Sequence, residues 1–222
     1  MYKYPKIETV FERDIDGTKK LIYGKYRDKT VEYIQDCLWV FTEKIDGTNI
    51  GIYWDGHKVN YQGRTERAQI PKHLMVRLEE LFGGEENEQL FEQMFGDKEV
   101  VLFGEGFGKK IQKCGEKYIP DGVDIILFDV YFPQNDVFLE YYNVMKIAEA
   151  FGIKVVPIRC VGTIDDAISR VIHPMESVFG TAQAEGLVGK PAVEVRDRNG
   201  KRVIVKIKYQ DFKEFANENQ TR

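Results

Sequence analysis

Residues 41–56 read FTEKIDGTNIGIYWDG, and the stretch contains two turn signals with an alternating segment between them. Asp46-Gly47 and Asp55-Gly56 are both turn-forming dipeptides. Asn49–Trp54 alternates in the period-2 manner of a half-buried strand. Asp55-Gly56 predicts a type I′ turn into a second strand at His57–Gln62. The stretch therefore predicts an antiparallel hairpin that begins shortly after Lys44.

Outward from this hairpin, strand-like and helix-like segments follow one another. Period-2 alternation predicts further strands at 99–103, 124–132, 153–160, 185–190 and 202–208, the last after a second hairpin turn at 198–201. Spacing of i, i+3, i+4, i+7 predicts helices whose apolar faces carry Leu74, Leu78, Leu81 and Phe82, and Tyr141, Val144, Met145 and Ala148. Shorter helices are predicted at 165–171, which Pro174 should stop, and at 209–215. The pattern predicts an α+β fold of largely antiparallel sheets with flanking helices, as one domain over residues 1–222.

The composition is that of a soluble globular protein, since 43% of the 222 residues are hydrophobic and 31% are charged. There is no apolar run of the roughly 20 residues that span a bilayer and no signal peptide, so we expect a cytoplasmic protein without a membrane partner. The net charge of −4 argues against a protein that simply coats nucleic acid. The three cysteines and three histidines lack the spacing of a zinc site or a disulfide framework.

Lys44 is the residue whose position suggests chemistry. It ends a strand that carries Trp39 and Phe41, directly before a turn. Apolar surroundings reduce the solvation of an ammonium group, which favours the neutral, nucleophilic amine. A lone lysine at a strand end is more often simply exposed to solvent, because lysine is rarely buried. Taken by itself, Lys44 leaves these two interpretations open.

Five motifs in order along the chain resemble those of the covalent nucleotidyltransferases, the superfamily of polynucleotide ligases and mRNA capping enzymes. They are Lys44-Ile45-Asp46-Gly47, Phe103-Gly104-Glu105-Gly106, Phe128-Asp129-Val130, Glu185-Gly186-Leu187-Val188 and Lys206-Ile207-Lys208. The segments EKIDGTN and GEGFGKKIQKCGEKY are most similar to the bacteriophage RNA ligases of the T4 RNA ligase 2 group. The resemblance implies a nucleotidyltransferase (ATP-grasp-like ligase) fold and ATP-dependent RNA ligase activity.

The same resemblance implies a catalytic group. Lys44 would attack the α-phosphorus of ATP, expel pyrophosphate and form a lysyl-AMP intermediate. Lys206 and Lys208, two residues apart on a strand, would stabilise the phosphate charge. Glu185 resembles the carboxylate that binds a divalent metal, and an oxygen ligand suits Mg²⁺ or Mn²⁺. The chain would then transfer AMP to a 5′-phosphate end and seal it to a 3′-hydroxyl.

The resemblance also implies nucleotide contacts. Glu105 resembles the carboxylate that contacts the ribose, Phe128 the aromatic residue that stacks on the purine, and Arg64 an arginine that engages phosphate. The predicted nucleotide-binding group further includes Lys206, Lys208 and Glu185 and four residues of the first motif and its flanks: Glu43, Asp46, Gly47 and Asn49.

These assignments have structural alternatives. Lys206 and Lys208 could be the solvent face of a strand whose apolar face carries Val205 and Ile207. Phe128 could be an ordinary core residue, since it lies in the apolar run IILFDVYF. For Glu105 the flanking glycines favour function, because Gly-Glu-Gly makes a poor strand and suggests close backbone approach to a ligand.

The lysines after the second motif are predicted to grip a nucleic-acid backbone: Lys109, Lys110, Lys113 and Lys117. The expected partner is RNA, as a nicked duplex, an RNA/DNA hybrid, a broken tRNA or single-stranded ends, and no protein partner is implied. No C-terminal OB-fold or helical domain is predicted within the 222 residues. The phage-like motifs make a viral source reasonable, which would put the protein in the host cytoplasm.

Other functions stay open at this point. A DNA ligase or a GTP-dependent capping enzyme would use the same lysine chemistry. A nucleotide- or RNA-binding module could keep the fold without catalysis. A hydrolase using Glu105 and Glu185 as a carboxylate pair would leave the lysines unexplained.

Overall fold

A computed structural model describes residues 2–65 and 68–215. Within these residues the strands are β1 Glu8–Thr9, β2 Phe11–Arg13, β3 Leu21–Tyr26, β4 Trp39–Lys44, β5 Thr48–Trp54, β6 Val59–Gly63, β7 Val100–Gly108, β8 Val123–Phe132, β9 Val137–Phe138, β10 Lys154–Val155, β11 Ile158–Gly162, β12 Gly186–Pro191 and β13 Val205–Lys208. The helices are α1 Lys29–Tyr33, α2 Lys72–Phe82, α3 Glu85–Phe95, α4 Gly115–Tyr118, α5 Tyr141–Ala150, α6 Ile164–Val171 and α7 Tyr209–Phe212, with a 3-10 turn at Pro133–Asn135. None of the helices in the described ranges is long and apolar enough to cross a membrane.

The described residues form two compact units. Unit 1 comprises the described parts of Met1–Tyr4, Asp46–Val156 and Phe179–Ala182, and unit 2 those of Pro5–Ile45, Pro157–Val178 and Gln183–Arg222. Each unit has its own sheet and its own hydrophobic core. The expectation of one domain over residues 1–222 stays a prediction.

Unit 1 is a six-stranded sheet with helices packed on one face. The strand order is β10-β8-β7-β5-β6, β9 lies beside β8, and β10 with β8 is the parallel pair among otherwise antiparallel neighbours. The predicted apolar face of α2 is confirmed, because Leu74, Leu78 and Phe82 are buried. They share one core with Ile50 and Ile52 of β5 and with residues of α3 and α5. Alternation along each strand leaves every second residue on the opposite face.

β7 is longer than predicted because it pairs with β5 on one side and with β8 on the other through Gly104 and Gly106, and these two glycines make room for core side chains. A Cβ at Gly106 would lie 2.5 Å from Cδ2 of Leu74, and a Cβ at Gly104 would lie 2.8 Å from Cδ1 of Ile125. The small size of these residues is therefore explained by packing rather than by approach to a ligand. Glu105, between them in sequence, alternates to the other face of the sheet.

The predicted hairpin is present, but its turn is of a different type. Trp54 pairs with Val59, so the loop has four residues, and the Asp55 N–H donates to the Lys58 carbonyl at 3.2 Å. A type I′ turn requires positive φ at both central residues. Within this loop only Gly56 has one, at +95°. The type I′ prediction was therefore wrong, while the strands on either side were predicted correctly.

Unit 2 is a five-stranded sheet of order β1-β13-β12-β4-β11, with β2 and β3 as a separate pair. β12 is antiparallel to both of its neighbours, whereas β1 runs parallel to β13. Trp39 and Phe41 of β4 pack in one core with Leu187 of β12 and with Ile164 and Ile168 of α6. The α+β class with largely antiparallel sheets is thereby confirmed.

Three further predicted strands have different bounds. The predicted strand at 153–160 is two strands, β10 and β11, which belong to different sheets. Pro157 separates them and has no N–H to donate to a ladder. The predicted strand at 202–208 is shortened to β13, and the one at 185–190 begins at Gly186. α6 ends at Val171, before Pro174, as predicted.

Candidate active site

Three neighbouring strands of unit 2 bring two lysines to one carboxylate. β12 lies between β4 and β13, and its first residue, Gly186, pairs with Lys44 on one side and with Lys208 on the other. The Lys44 ammonium contacts Oε2 of Glu185, and the Lys208 ammonium contacts Oε1. The Glu185 N–H donates to the Lys44 carbonyl at 3.2 Å. We call Lys44, Glu185 and Lys208 the lysine network.

Gly186, beside the lysine network, has to lack a side chain. Its φ is +152°, and a Cβ there would lie 2.1 Å from the carbonyl oxygen of Ile207. That oxygen belongs to the backbone of β13, so it cannot turn aside as a side chain would. Any larger residue would push β12 and β13 apart and move Glu185 away from Lys208. The glycine of the EGLV motif is therefore required by strand pairing.

The electrostatics of the network hold its charges in place. The side chains of Lys44 and Glu185 are only 22% and 19% exposed. Burial opposes ionisation of the Glu185 carboxyl, but the charges and hydrogen bonds of Lys44 and Lys208 outweigh burial and hold its pKa below the ordinary value. Glu185 is therefore ionised at neutral pH and fixes both ammonium groups. Lys44 is not the fully solvated strand-end lysine of the structural alternative.

Lys206 lies on the same face of β13 as Lys208, because the two are separated by one residue. Both are half-buried, whereas Val205 and Ile207 are buried in the core of unit 2. Lys206, Lys208 and Glu185 also line one cavity. The strand is amphipathic, as the structural alternative proposed, and its polar face is the one that carries the lysine network.

Glu43, predicted to contact nucleotide, is held in a buried network of unit 2. Its side chain is 0% exposed and forms an ion pair with Arg159. The Ser177 hydroxyl donates to its carboxylate, and so does the Val178 N–H at 3.3 Å. Arg159 also donates to the Glu176 carbonyl at 3.0 Å. This network anchors the strand residue directly before Lys44, and a contact of Glu43 with nucleotide stays a prediction.

On unit 1, three predicted nucleotide contacts lie on adjoining strands. Asn49 of β5 pairs with Glu105 of β7, and Glu105 pairs with Ile126 of β8. Phe128 lies two residues beyond Ile126, is half-buried, and meets the Tyr4 ring edge-on with centroids 4.9 Å apart. Among the described residues, the helix-covered core of unit 1 does not include Phe128. Phe128 therefore lies outside the helix-covered core, and its stacking on a purine stays a prediction.

The Asp46-Gly47 turn is held by the segment that follows β7. The Tyr118 hydroxyl accepts from the Asp46 N–H at 3.3 Å, and the Gln112 amide donates to the Gly47 carbonyl at 2.9 Å. The Cys114 thiol donates to the Asp46 carboxylate at 3.1 Å. Burial and this carboxylate raise the pKa of the thiol, so it stays a protonated donor. The segment therefore fixes two motif residues as well as carrying lysines.

Gly47 is needed for a close approach within unit 1. A Cβ at this position would lie 2.3 Å from the carbonyl oxygen of Gly106 and 2.8 Å from Cγ of Glu105. The turn can therefore lie against β7 only with glycine here. This places two motif positions, Gly47 and Glu105, side by side.

The remaining predicted contacts are at the surface. Arg64 is exposed and follows the last residue of β6. Lys110, Lys113 and Lys117 are exposed between β7 and β8, while Lys109 is half-buried and pairs with Asp121 at 3.2 Å. Exposed cations are available to a polyanion, and their contact with phosphate stays a prediction.

Lys44, Glu185 and Lys208 thus lie at strand ends, whereas Glu105 and Phe128 lie within β7 and β8. The model of the family described as RNA ligase matches residues 38–208, which includes the whole lysine network. The chain belongs to the RNA ligase family. The resemblance to the RNA ligases is thereby confirmed, while the finer likeness to the bacteriophage group stays a prediction.

Solved structures of RNA ligases share the fold of this RNA ligase family member. A mutant of the Naegleria gruberi RNA ligase with ATP and Mn is 20% identical, with a TM-score of 0.66 over 100% of this chain and 59% of that one. A second mutant of that ligase, with AMP and Mn, is 20% identical with a TM-score of 0.62 over 87% and 55%. The same ligase with PPi is 19% identical with a TM-score of 0.62 over 99% and 64%.

The chain therefore spans less than two thirds of the length of these ligases. Likeness at this level of identity shows a shared fold. Among curated protein sequences, none matches this RNA ligase family member.

Sequence reasoning missed the residues that hold the motif residues in this RNA ligase family member. Arg159 lies in the apolar run VVPIRCVG, and an arginine inside such a run is a signal for a buried counter-charge. Gln112, Cys114 and Tyr118 lie within the segment GEGFGKKIQKCGEKY, for which the sequence predicts roles of Glu105 and the lysines but not of these three residues. Their partners are distant in sequence, so no local pattern marks the contacts.

Proposed function

We propose that this chain is an ATP-dependent RNA ligase that works through lysyl-AMP on Lys44. The observation that carries the proposal is the lysine network, because a half-buried lysine held by a carboxylate beside a second lysine fits phosphoryl transfer to an amine. Membership of the RNA ligase family supports the same chemistry. RNA is the proposed partner, as a nicked duplex or an RNA/DNA hybrid.

In the first step, the neutral Lys44 amine attacks the α-phosphorus of ATP. A P–N bond forms, the P–O bond to the β-phosphate breaks, pyrophosphate leaves, and the amine loses a proton. An ammonium has no lone pair, so Lys44 has to release one proton before it attacks. Lys206 and Lys208 offset the negative charge that develops on the phosphate oxygens, where preorganised cations contribute most. Glu185 contacts both Lys44, which is the nucleophile, and Lys208, which offsets phosphate charge, and thereby orients both side chains.

The residues present fit a divalent metal that is held mainly by phosphate. Among the described residues there is no cluster of three or more His, Cys, Asp or Glu side chains that could hold a metal. Mg²⁺ in phosphoryl-transfer sites needs only one or two carboxylates, with water and phosphate oxygens completing its shell. Glu185 is the carboxylate that would hold it. When bound, Mg²⁺ or Mn²⁺ would neutralise phosphate charge.

For unit 1 we propose the contacts that the family resemblance implies. Glu105 contacts the ribose, Phe128 stacks on the adenine, and Asn49 lies beside Glu105 on the same sheet face. Stacking on an aromatic ring contributes about 1–3 kcal/mol per base. The exposed Lys110, together with Lys109, Lys113 and Lys117, contacts the RNA backbone.

The experiment is a joining assay with 5′-phosphorylated RNA, ATP and Mg²⁺. Nicked RNA duplexes, RNA/DNA hybrids and single-stranded ends are compared, with Lys44→Ala as the inactive variant. Lys25→Ala is the matched control, because Lys25 is an exposed lysine of unit 2 that pairs with Glu12. We expect joined product with wild type and Lys25→Ala only. No joined product on any substrate would contradict ligation, and product only in a parallel reaction with GTP in place of ATP would contradict the assigned nucleotide.

A further inference from the structure

A basic cleft in unit 2 begins at the lysine network and extends away from it. Its volume is about 430 Å³, and β1, which runs parallel to β13, forms one wall by placing Thr9 beside Lys206. The residues that line it are Lys6, Glu8, Thr9, Arg13, Arg27, Glu185, Lys206, Lys208, Gln210 and Asp211. We call this the N-terminal cleft, because half of its lining comes from residues 6–27.

The cleft has an excess of positive charge. Five of its side chains are lysine or arginine and three are carboxylates. Glu8 serves two cations, Lys6 at 3.0 Å and Arg27 at 3.3 Å, and Asp211 pairs with Arg13 at 2.7 Å. A carboxylate shared between two cations leaves part of their hydrogen-bonding capacity for another anion.

The cations of residues 6–27 are also accessible. The side chains of Lys6, Arg27 and Arg13 are 67%, 39% and 36% exposed. Arginine binds phosphate through two parallel hydrogen bonds, which lysine cannot do. Two arginines and a lysine around one cleft therefore fit a phosphate-bearing ligand.

The N-terminal cleft shares residues with the lysine network that contains Lys44. Glu185 and Lys208 belong both to the cleft lining and to the lysine network, and Lys44 contacts the same Glu185 carboxylate. A nucleotide phosphate that reacts at Lys44 would thus have cations of the cleft close to the groups attached to it.

We propose that the N-terminal cleft binds the phosphate group that lies opposite Lys44 in both phosphoryl transfers, first pyrophosphate and then the 5′-phosphate of the strand. The proposal rests on the proposed lysyl-AMP chemistry. In the first transfer pyrophosphate leaves in line with the incoming Lys44 amine. In the second, an oxygen of the 5′-phosphate attacks the same phosphorus, a P–O bond forms, the P–N bond to Lys44 breaks, and the amine takes up a proton.

The two ligands share one position for a geometric reason. Lys44 is the nucleophile of the first transfer and the leaving group of the second, so the other partner lies opposite it both times. Pyrophosphate has to leave before the strand end can enter. Cations at this position therefore serve two successive ligands of the same chemistry.

The test uses the full chain with Lys6→Gln, with the double variant Arg13→Gln/Arg27→Gln, and with Lys25→Gln as the control. Lys25 is 58% exposed and lies on β3, and it is not part of the cleft lining. Lys6→Gln changes the most exposed of the cleft cations, so it tests the cleft even if the double variant misfolds. Circular dichroism checks the fold of each.

The first readout is binding of inorganic pyrophosphate by calorimetry, which requires no catalysis. We expect the dissociation constant to rise about tenfold or more for each cation removed, because hydrogen bonds to charged groups are among the strong ones. The control should bind as wild type does. Unchanged binding in the folded cleft variants would overturn the proposal.

The second readout separates the two sources of phosphate. One arm follows formation of lysyl-AMP from ATP, and the other follows AMP transfer from adenylylated protein to 5′-phosphorylated RNA. We expect the cleft variants to lose activity in both arms. Loss of lysyl-AMP formation alone would assign the cleft to pyrophosphate only, and loss of AMP transfer alone would assign it to the strand end only; either result would overturn the shared position. If wild type forms no lysyl-AMP, the proposed function fails, and pyrophosphate binding still decides whether the cleft binds phosphate.

Discussion

Replacing Arg159 by methionine tests the buried network that anchors the strand before Lys44. The change keeps much of the aliphatic volume but leaves the Glu43 carboxylate, which is 0% exposed, without its counter-charge. Removing one partner of a buried ion pair costs about 3–5 kcal/mol. Ser177 and the Val178 N–H still donate to Glu43, so we expect the free energy of unfolding to fall by an amount near the lower limit, about 3 kcal/mol.

The assay is urea unfolding followed by circular dichroism and tryptophan fluorescence. Glu43→Leu/Arg159→Met should be more stable than Arg159→Met alone, because removing both charges leaves no buried charge unpaired. Arg196→Met is the control, since Arg196 pairs with Glu194 near the surface and should change stability by less than about 0.5 kcal/mol. Two results would refute the reasoning. One is a loss of less than about 1 kcal/mol of unfolding free energy in Arg159→Met, and the other is a loss in the double variant equal to the sum of the losses in Glu43→Leu and Arg159→Met.

Three further predictions follow from the site. Gly186→Ala should lower lysyl-AMP formation at least tenfold, measured by intact mass, because its Cβ would meet the Ile207 carbonyl at 2.1 Å; a wild-type rate would show that the spacing is not needed. The pKa of Glu185 is lower in the folded protein than its ordinary value of 4.5, so its ionised carboxylate stabilises the fold. This stabilisation is complete above pH 4.5 and is lost as the pH falls through the pKa of the folded protein. The difference in unfolding free energy between wild type and Glu185→Gln should therefore shrink as the pH falls below 4.5, and a constant difference would count against it. Lys110→Glu/Lys113→Glu should weaken RNA binding in filter assays and flatten its salt dependence while lysyl-AMP still forms; loss of both would contradict the assigned role.

The sequence located the residues of the lysine network because each lies in a short motif. Lys44 precedes a turn, and Lys206 and Lys208 share a strand face, and both facts follow from local periodicity. The contacts of Lys44 and Lys208 with Glu185 depend on the register of β4, β12 and β13. The register of β4 and β12 joins Lys44 to Glu185 across 141 positions, so the sequence alone could order the motifs but could not bring them together.

Other features could not be predicted because their signals are long-range. β1 is two residues long and pairs with a strand at the far end of the chain, so no alternation marks it. The sequence suggested that Gly104 and Gly106 allow close approach of a ligand. Their small size instead makes room for Ile125 and Leu74, which come from other elements and so could not be recognised from the local sequence. α3 was missed although Phe91 and Phe95 have helical spacing, because most of the rest of the segment is polar.

The measurement that tests the central claim most directly is the position of the adenylyl group after incubation with ATP and Mg²⁺. Wild type and Lys44→Ala are first freed of bound nucleotide, and their peptides are sequenced by tandem mass spectrometry. We predict an AMP adduct on the peptide that contains Lys44, located on its side-chain nitrogen and absent from the variant. An adduct on another residue, or no adduct on a wild-type protein that binds ATP, would contradict the account.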